Sequence, residues 1–247
     1  MDKALYVAMT GAAQTMRAQA ANNHNLANAS TVGFRAELVT NSPTAVPGDA
    51  LGSRFDANLQ DAGFDSNGGA LMSTGRDLDV ALRGNTWLAV QGSDGKEAYT
   101  RAGDLTVTAQ GQVINGAGHQ VLGDGGLLSV PPNSSVTIGP DGTVSVVPLG
   151  QSAATLATVG RLKLVDAAPG QLQRGEDGLM RAKAGAKLQP ASGNVVQSGV
   201  LESSNVNLAE AMTTMISLAR QYEMQVKMMH TVEDNATASA SLVRMSQ

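Results

Sequence analysis

The side chains best suited to metal binding or proton transfer are few in this 247-residue chain and lie far apart. Its three histidines, His24, His119 and His230, do not form the His-Glu-x-x-His spacing of a zinc site, and isolated histidines favour surface or interface positions. Cysteine is absent, which excludes disulfides and thiolate nucleophiles. The sequence therefore predicts no metal-ligating residues.

Two aspartates and a glycine-rich run are the remaining candidates for catalysis or ligand binding. Asp77 and Asp79 lie two residues apart, so on a strand both carboxylates face one side, as acid–base catalysis requires. Their alternation with Leu78 and Val80 instead favours two solvent-facing charges over a buried apolar face. The glycine-rich run 115–126 lacks the following helix of a phosphate site and predicts β turns. We expect no catalytic or cofactor-binding residue, no cofactor, no small-molecule substrate and no enzyme activity.

The composition excludes two further classes of partner. The net charge is −4, and the 17 lysines and arginines form no basic stripe, so we expect no nucleic acid. No stretch approaches the ~20 apolar residues of a membrane span, so we expect no transmembrane segment. The first residues lack the basic and apolar regions of a cleaved signal peptide, so an exported protein would need another route.

At both ends of the chain, apolar residues recur with alternating steps of four and three residues. This spacing is typical of the contact face of packed helices. Asn207 is placed to cap the second helix, and Glu210 three residues later completes a capping box. The N-terminal positions are Leu5, Met9, Ala12, Met16, Gln19, Asn23 and Leu26. The C-terminal positions are Leu208, Met212, Met215, Ala219, Tyr222, Val226, Met229, Glu233, Ala236, Ala240 and Val243.

Between the ends the sequence changes to a β pattern. Residues 77–83 and 160–165 alternate with a period of two. Turn sequences recur at short intervals, at Ser93-Asp94-Gly95, Ala109-Gln110-Gly111, Asn115-Gly116, Pro140-Asp141-Gly142 and Glu176-Asp177-Gly178. We predict an α+β fold, with an antiparallel all-β central domain and two terminal helices forming a coiled-coil-like layer. The predicted boundaries are residues 1–35 for the first helix, 36–73 for an irregular connector, 74–200 for the β domain and 201–247 for the second helix.

The two helices carry more apolar surface than one pairing covers. Tyr6 and Val7 lie off the predicted contact face of the first helix, as Met224 and Met228 do on the second. Packing among neighbouring chains would cover them. We therefore expect the termini to become helical on polymerisation, with an intramolecular helical hairpin on a β domain as the alternative.

Three runs in the expected order resemble the bacterial flagellar rod and hook family of axial proteins. Asn-Leu-Ala-Asn-Ala-Ser-Thr-Val-Gly-Phe-Arg at residues 25–35 resembles its N-terminal signature. Residues 74–90 with 99–104 are similar to its entry into the β domain, and residues 204–212 resemble its C-terminal signature. The helix-terminating residues of the first signature are Asn25, Asn28, Thr31, Gly33 and Phe34. The residues that carry the C-terminal signature are Asn205, Val206, Asn207 and Glu210.

The first signature suits the end of a helix, because asparagine tolerates left-handed dihedrals and its amide bonds free carbonyls, while Gly33 permits a positive φ. The resemblance implies a structural subunit of the basal-body rod, most similar to a proximal-rod member, with a distal-rod or hook protein as the alternative. A β-domain enzyme acting on polysaccharide is a third, distant alternative.

What the family implies for this chain is export by the flagellar type III apparatus without a cleaved signal peptide, and a location in the rod within the periplasm. Its partners would be copies of itself and other rod proteins. Its terminal helices would polymerise to transmit torque and enclose the export channel. The residues expected at this assembly interface are Leu5, Met9, Met16, Leu26, Leu208, Met212, Met215, Tyr222, Val226 and Met229.

Overall fold

The structure is a computed structural model that describes residues 2–45, 55–151 and 156–245. The chain divides into two compact units. The helical unit comprises Met1–Asn28, Glu37–Phe64 and Val206–Gln247, and the β unit comprises Ala29–Ala36 and Asp65–Asn205. The helical unit thus contains both the N-terminal and the C-terminal segment of the chain.

The helical unit contains helix α1, Asp2–Ala27, and helix α2, Leu208–Met245. Two hydrogen bonds join them in opposite order along the chain, Thr15 to Gln225 and Asn22 to Ala211, so the helices are antiparallel. Both helices are therefore formed and paired within the single chain, contrary to the expectation that they form only on polymerisation. Neither helix, over its described residues, is long and apolar enough to cross a membrane.

The helical unit also contains a two-stranded antiparallel ribbon of β1, Glu37–Ala45, and β2, Phe55–Phe64. This ribbon corrects the prediction of an irregular connector over residues 36–73, of which 46–54 lie outside the described residues. Prolines and glycines suggested irregular structure, but a proline is tolerated in a ribbon of two strands because each strand has one unpaired edge. The alternation of Phe55, Ala57 and Leu59 with polar residues is the strand signal in this segment.

The β unit is built from short strands, and every strand pairing described in it is antiparallel. With the two terminal helices, this confirms the predicted α+β class. The strands are β3 (Leu71–Ser73), β4 (Val80–Leu82), β5 (Thr86–Gln91), β6 (Glu97–Thr100), β7 (Thr106–Val107), β8 (Val113–Ile114), β9 (Leu122–Gly123), β10 (Gly126–Leu127), β11 (Asn133–Ile138), β12 (Thr143–Pro148), β13 (Ala157–Arg161), β14 (Leu164–Asp166), β15 (Leu172–Arg174), β16 (Met180–Ala182), β17 (Gln189–Pro190), β18 (Val196–Ser198) and β19 (Val200–Glu202).

The largest sheet has the strand order β15-β16-β6-β5-β14-β17, and a second sheet has the order β11-β12-β13. The strands β4 and β18, β3 and β19, β7 and β8, and β9 and β10 form separate pairs. Fully buried leucines and valines fill one continuous core, with Leu88, Val90 and Leu162 at 0% exposure. Four of the predicted turns connect hairpins and place glycine at positive φ, at Gly95, Gly111, Gly142 and Gly178.

The observed helices are shorter than the predicted terminal segments. The first helix ends at Ala27 rather than near residue 35, because Asn28 bonds the carbonyls of its last turn. The second begins at Leu208 rather than near residue 201, because Val200–Glu202 pairs with β3 as a strand. Both observed helix ends instead agree with the heptad positions, of which Leu26 is the last in the first helix and Leu208 the first in the second.

Candidate assembly interface

The contact face between α1 and α2 is made largely of small side chains. Ala8, Ala12 and Thr15 are buried on α1, and Ala211 is buried on α2. At Gly11 an added Cβ would lie 3.0 Å from Nε2 of Gln225, so the Gln225 side chain packs directly against the backbone of α1 there. Small residues permit this approach, and the face is therefore closed by alanine and glycine rather than by methionine.

This face is displaced by one residue from the predicted one at three positions. The prediction placed Met9 and Met16 in the contact, whereas Ala8 and Thr15 occupy it, and Ala211 replaces Met212 in the same way. The predicted interface residues that are half-buried in the single chain are Leu5, Leu26, Met215, Tyr222, Val226 and Met229.

The displaced residues remain exposed on one side of the helix pair. Met9, Met16 and Met212 each follow a buried residue of the contact face, and one residue corresponds to a rotation of about 100°. Since the helices are antiparallel, the same rotation brings residues of both helices to the same side. Leu208 and Ile216 lie one turn on either side of Met212. We call this set the apolar stripe: Met9, Met16, Leu208, Met212 and Ile216, whose exposures lie between 49% and 56%.

A second set of exposed apolar residues lies away from the stripe. Met224 and Met228, four residues apart on α2, share one face and are largely exposed. Tyr6 and Val7 on α1 are also exposed, as the sequence predicted for all four. The single chain therefore leaves apolar surface uncovered on more than one side of its helices.

The end of α1 is held by the side chains of two asparagines of the N-terminal signature. Asn25 accepts a hydrogen bond from the backbone nitrogen of Glu37 at 2.8 Å and donates to the Glu37 carbonyl at 3.0 Å. The Asn28 amide donates to the carbonyl of His24 at 2.9 Å, as predicted for a helix terminator. No described residue other than glycine has a positive φ, so the left-handed conformation belongs to Gly33, with φ 66°.

The start of α2 is capped as predicted. The Asn207 side-chain oxygen accepts hydrogen bonds from the backbone nitrogens of Ala209, at 3.1 Å, and Glu210, at 3.3 Å. Glu210 lies in the first turn, where a negative charge is favourable beside the helix dipole.

Replacing Asn207 with alanine is expected to cost about 1 kcal/mol of helix stability, because two backbone N–H groups lose their acceptor. Amide hydrogen exchange at residues 208–212 measures this loss as faster exchange confined to the first turn. Asn207→Asp retains the acceptor and serves as the matched control. Equal protection in the alanine and aspartate variants would show that the cap is dispensable.

In the β unit, Arg35 at the end of the N-terminal signature forms one buried ion cluster with Arg101 of the run 99–104 and with Glu202, each 3% exposed. One Glu202 oxygen lies 2.7 Å from Nη2 of Arg35 and accepts from the Gly69 nitrogen at 3.0 Å. The other accepts from Nε and Nη2 of Arg101 at 2.8 and 2.7 Å. Burial of three ionised groups is sustained only by this close pairing.

Arg101 uses its remaining donors on the backbone. Its guanidinium donates to the carbonyls of Leu82, Gly84 and Thr86, and it lies 5.7 Å from the ring centroid of Trp87. Trp87 is 4% exposed, as expected for a core residue. Arg101 therefore ties three strand and turn carbonyls to the ion cluster.

Other signature residues surround this cluster. The Gly33 nitrogen donates to the Glu202 carbonyl at 2.8 Å, the Phe34 ring lies 4.5 Å from the guanidinium of Arg174, and the Thr31 carbonyl accepts from the Phe34 nitrogen. The C-terminal signature adds three hydrogen bonds of the Asn205 amide, which accepts from the Ala36 nitrogen and donates to the carbonyls of Asp65 and Asn67. Val206, which follows Asn205, is half-buried.

The candidates for catalysis do not form a site. Asp77 is exposed, but Asp79 is 1% exposed and lies 3.4 Å from Nη1 of Arg76. The prediction that Asp79 faces solvent is therefore wrong, since its backbone bridges Asp104 and its side chain is enclosed. Among the described residues, no three histidine or carboxylate side chains are placed to hold a metal ion.

Comparison with known proteins agrees with the convergence of the two signatures. Residues 197–242 match the family model described as flagellar basal body rod FlgEFG protein C-terminal, and residues 81–146 match that of the flagellar hook protein FlgE/F/G D1 domain. The flagellar basal-body rod protein FlgF of Escherichia coli K12 is 45% identical over 254 residues, which cover all of both chains. The chain belongs to the family of flagellar basal-body rod proteins.

Further members of this rod-protein family match along nearly the whole chain. FlgF of Caulobacter vibrioides is 33% identical over 98% of this chain and 97% of its own. FlgG of Bacillus subtilis is 31% identical over 95% of this chain and 96% of its own. The predicted resemblance to the rod and hook family, with greatest similarity to its F-type members, is confirmed.

Proposed function

We propose that this protein is a structural subunit of the bacterial flagellar basal-body rod. The observation that carries this proposal is the apolar stripe, which the helix pair leaves exposed along one side in a chain that belongs to the rod-protein family. A neighbouring subunit in the rod would cover it. The role is structural rather than catalytic.

The stripe offers enough area to stabilise contact between subunits. Each of its five side chains is about half exposed, and burying the exposed part of such a side chain contributes about 1 kcal/mol. One contact along the stripe therefore contributes on the order of 5 kcal/mol before the cost of association. Such a contact is weak for a single pair of subunits and becomes sufficient when it repeats throughout a tube.

We infer a more specific role from the similarity to F-type relatives. The subunit lies in the proximal part of the rod, and its paired helices form a coiled-coil-like inner layer that transmits torque and encloses the export channel. It reaches the periplasm through the flagellar type III export apparatus without a cleaved signal peptide. Its partners are copies of itself and other rod proteins.

Replacing Met9 and Met212 together with lysine is expected to abolish rod assembly while the single chain stays folded. Both residues are about half exposed, so the free protein tolerates the charges, but a covered stripe would place them in an apolar contact. The measurement is motility and the yield of rods in cells that lack the natural gene and express the variant, beside thermal unfolding of the purified chain.

Thr213→Lys with Gln221→Lys is the matched control, because it adds the same two charges at exposed polar positions of α2. We expect this control to swim and to assemble rods. Normal motility of the Met9→Lys, Met212→Lys variant would exclude the stripe as an assembly contact. Failure of the wild-type chain to restore motility would overturn the rod-subunit proposal itself.

A further inference from the structure

An open groove of about 360 Å³ lies on the surface of α2, and we call it the α2 groove. Its described lining residues are Tyr222, Glu223, Val226, Lys227 and His230. Tyr222 and Val226 are half-buried, whereas the other three are exposed. An aromatic ring and an aliphatic side chain therefore lie deeper than the charged groups beside them, an arrangement typical of the centre and rim of a protein–protein contact.

The α2 groove lies on the same side of α2 as the apolar stripe. Val226 follows Leu208 by eighteen residues, and His230 follows Met212 by the same number. Eighteen residues are about five turns of an α-helix, and residues separated by a whole number of turns lie on the same side. The α2 groove therefore extends this side of the helix beyond the stripe.

Two exposed methionines lie on the opposite side of α2 at the level of the α2 groove. Met224 precedes Val226 by two residues, and Met228 follows it by two. Two residues correspond to about 200° around the helix axis and about 3 Å along it. Met224 and Met228, which are 64% and 56% exposed, therefore lie nearly opposite the groove.

The same relation holds on α1. Val7 precedes Met9 by two residues, so these two exposed side chains lie on opposite sides of α1. Met9 lies six residues before Thr15, which is bonded to Gln225 of the antiparallel α2. Met9 is therefore level with the part of α2 about six residues beyond Gln225, where the α2 groove ends. The helix pair thus carries apolar side chains on both of its sides at this level.

Two opposite apolar sides restrict which contacts between copies can repeat. A two-fold contact, in which the same side of two copies meets, closes after two molecules and leaves the other side of each copy exposed. A contact between unlike sides covers both, and each copy keeps a free side for the next one. A subunit of a repeating rod, the family to which this chain belongs, requires the second kind of contact.

We propose that the α2 groove binds Met224 and Met228 of a neighbouring copy of this chain, which lies side by side with the first. This inference rests on the proposed rod function and specifies the surface that meets the groove side. Methionine is suited to the groove because its flexible side chain adapts to the shape of a cavity and its sulfur makes favourable contact with an aromatic ring, here that of Tyr222. Because the groove and the methionines lie at one level, the two copies meet with little displacement along the helix axis.

Cysteine cross-linking tests which sides meet, because the chain contains no cysteine of its own. Met228→Cys with His230→Cys places one thiol on each side of α2, since both residues are exposed and lie two positions apart. The variant is expressed in cells that lack the natural gene, and its purified rods are treated with a short bismaleimide that joins two thiols. We expect a ladder of dimers, trimers and larger products, and no product from either single variant.

Met228→Cys with Gln221→Cys is the matched control. Gln221 is exposed and lies seven residues, about two turns, before Met228, so both thiols lie on the methionine side. We expect no cross-linked product from this control. Dimers from the control or from a single variant would show that like sides meet, and an assembled Met228→Cys, His230→Cys variant without a ladder would show that the groove and the methionines do not meet. Either result would overturn the proposal.

A second pair of substitutions tests the contact without cysteine. Met224→Ala with Met228→Ala removes the side chains that the groove binds, and because both are exposed the free chain should unfold at the temperature of the wild type. We expect the yield of rods to fall at least about tenfold. Thr214→Ala with Ser217→Ala, at exposed polar positions on the same side of α2, should assemble normally.

The outcomes separate this contact from the rod function. Rods of normal yield from the Met224→Ala, Met228→Ala variant would overturn the proposed contact while the rod function stands. Failure of the wild-type chain itself to restore rods would overturn the rod function and the contact with it.

Discussion

Glu202→Gln is expected to destabilise the β unit by about 3–5 kcal/mol, because it leaves Arg35 and Arg101 buried without their common counter-ion. The isosteric amide keeps the shape of the side chain but loses the charge and one acceptor. Urea unfolding followed by the fluorescence of Trp87, the single tryptophan, measures the change as a lower midpoint at unchanged slope.

Glu176→Gln is the control for this experiment, because Glu176 is an exposed glutamate of the same unit. We expect its unfolding midpoint to equal that of the wild type within experimental error. A Glu202→Gln variant as stable as Glu176→Gln would mean that the ion cluster contributes little and that water satisfies the two guanidinium groups.

Gly33→Ala is the second substitution for which we expect a large effect. Gly33 has φ 66°, and a Cβ there would lie 2.3 Å from the carbonyl carbon of Arg101 and 2.6 Å from the nitrogen of Ala102. A left-handed alanine alone costs about 1–2 kcal/mol, and displacement of a backbone segment adds about 1–3 kcal/mol. Thermal unfolding should therefore register a loss of about 2–5 kcal/mol.

Gly75→Ala separates the two contributions. Gly75 has φ 70°, but a Cβ at this position would meet nothing within 4 Å. This control should lose only the conformational part, about 1–2 kcal/mol. Equal losses in the two variants would show that the segment around Arg101 moves aside without cost, and that Gly33 is required for its φ alone.

The arrangement of helices and strands could be predicted from local pattern. Heptad spacing defines the terminal helices, and glycine-containing turns define the hairpins closed at Gly95, Gly111, Gly142 and Gly178. The ribbon of β1 and β2 was missed because Pro43 and several glycines weighed more than the alternation that begins at Phe55. Turn-forming residues indicate where regular structure is costly, but they do not exclude a strand whose edge is unpaired.

The contact face of the helices could be predicted only in part. The heptad pattern included Ala12, which is buried, and Met215, Tyr222 and Met229, which are half-buried. At Met9, Met16 and Met212 it favoured a methionine over the smaller, buried neighbour. Hydrophobicity ranks Met9 above Ala8, whereas the buried position is taken by the smaller side chain. The heptad positions thus included residues of the apolar stripe as well as residues of the contact face. The pattern alone does not show which residue belongs to which surface.

The ion cluster had no sequence signal that isolates it. Its members, Arg35, Arg101 and Glu202, are separated by 66 and 101 residues and are brought together only by the folded chain. Arg35 ends the N-terminal signature and Arg101 lies in the run 99–104, so the resemblance included both without assigning them a partner. Long-range pairing of this kind depends on tertiary structure rather than on spacing.

The hydrogen bond between Thr15 and Gln225 fixes how far one helix slides along the other. A displacement by one turn, about 5.4 Å, would separate these two groups and also the Asn22 amide from the Ala211 carbonyl. The helix pair therefore has a single axial setting. Every copy of the chain therefore carries Met9, Met16 and Met212 at the same positions along the axis of the helix pair. In an assembly of identical copies, the contacts made by these methionines would repeat with a constant axial spacing.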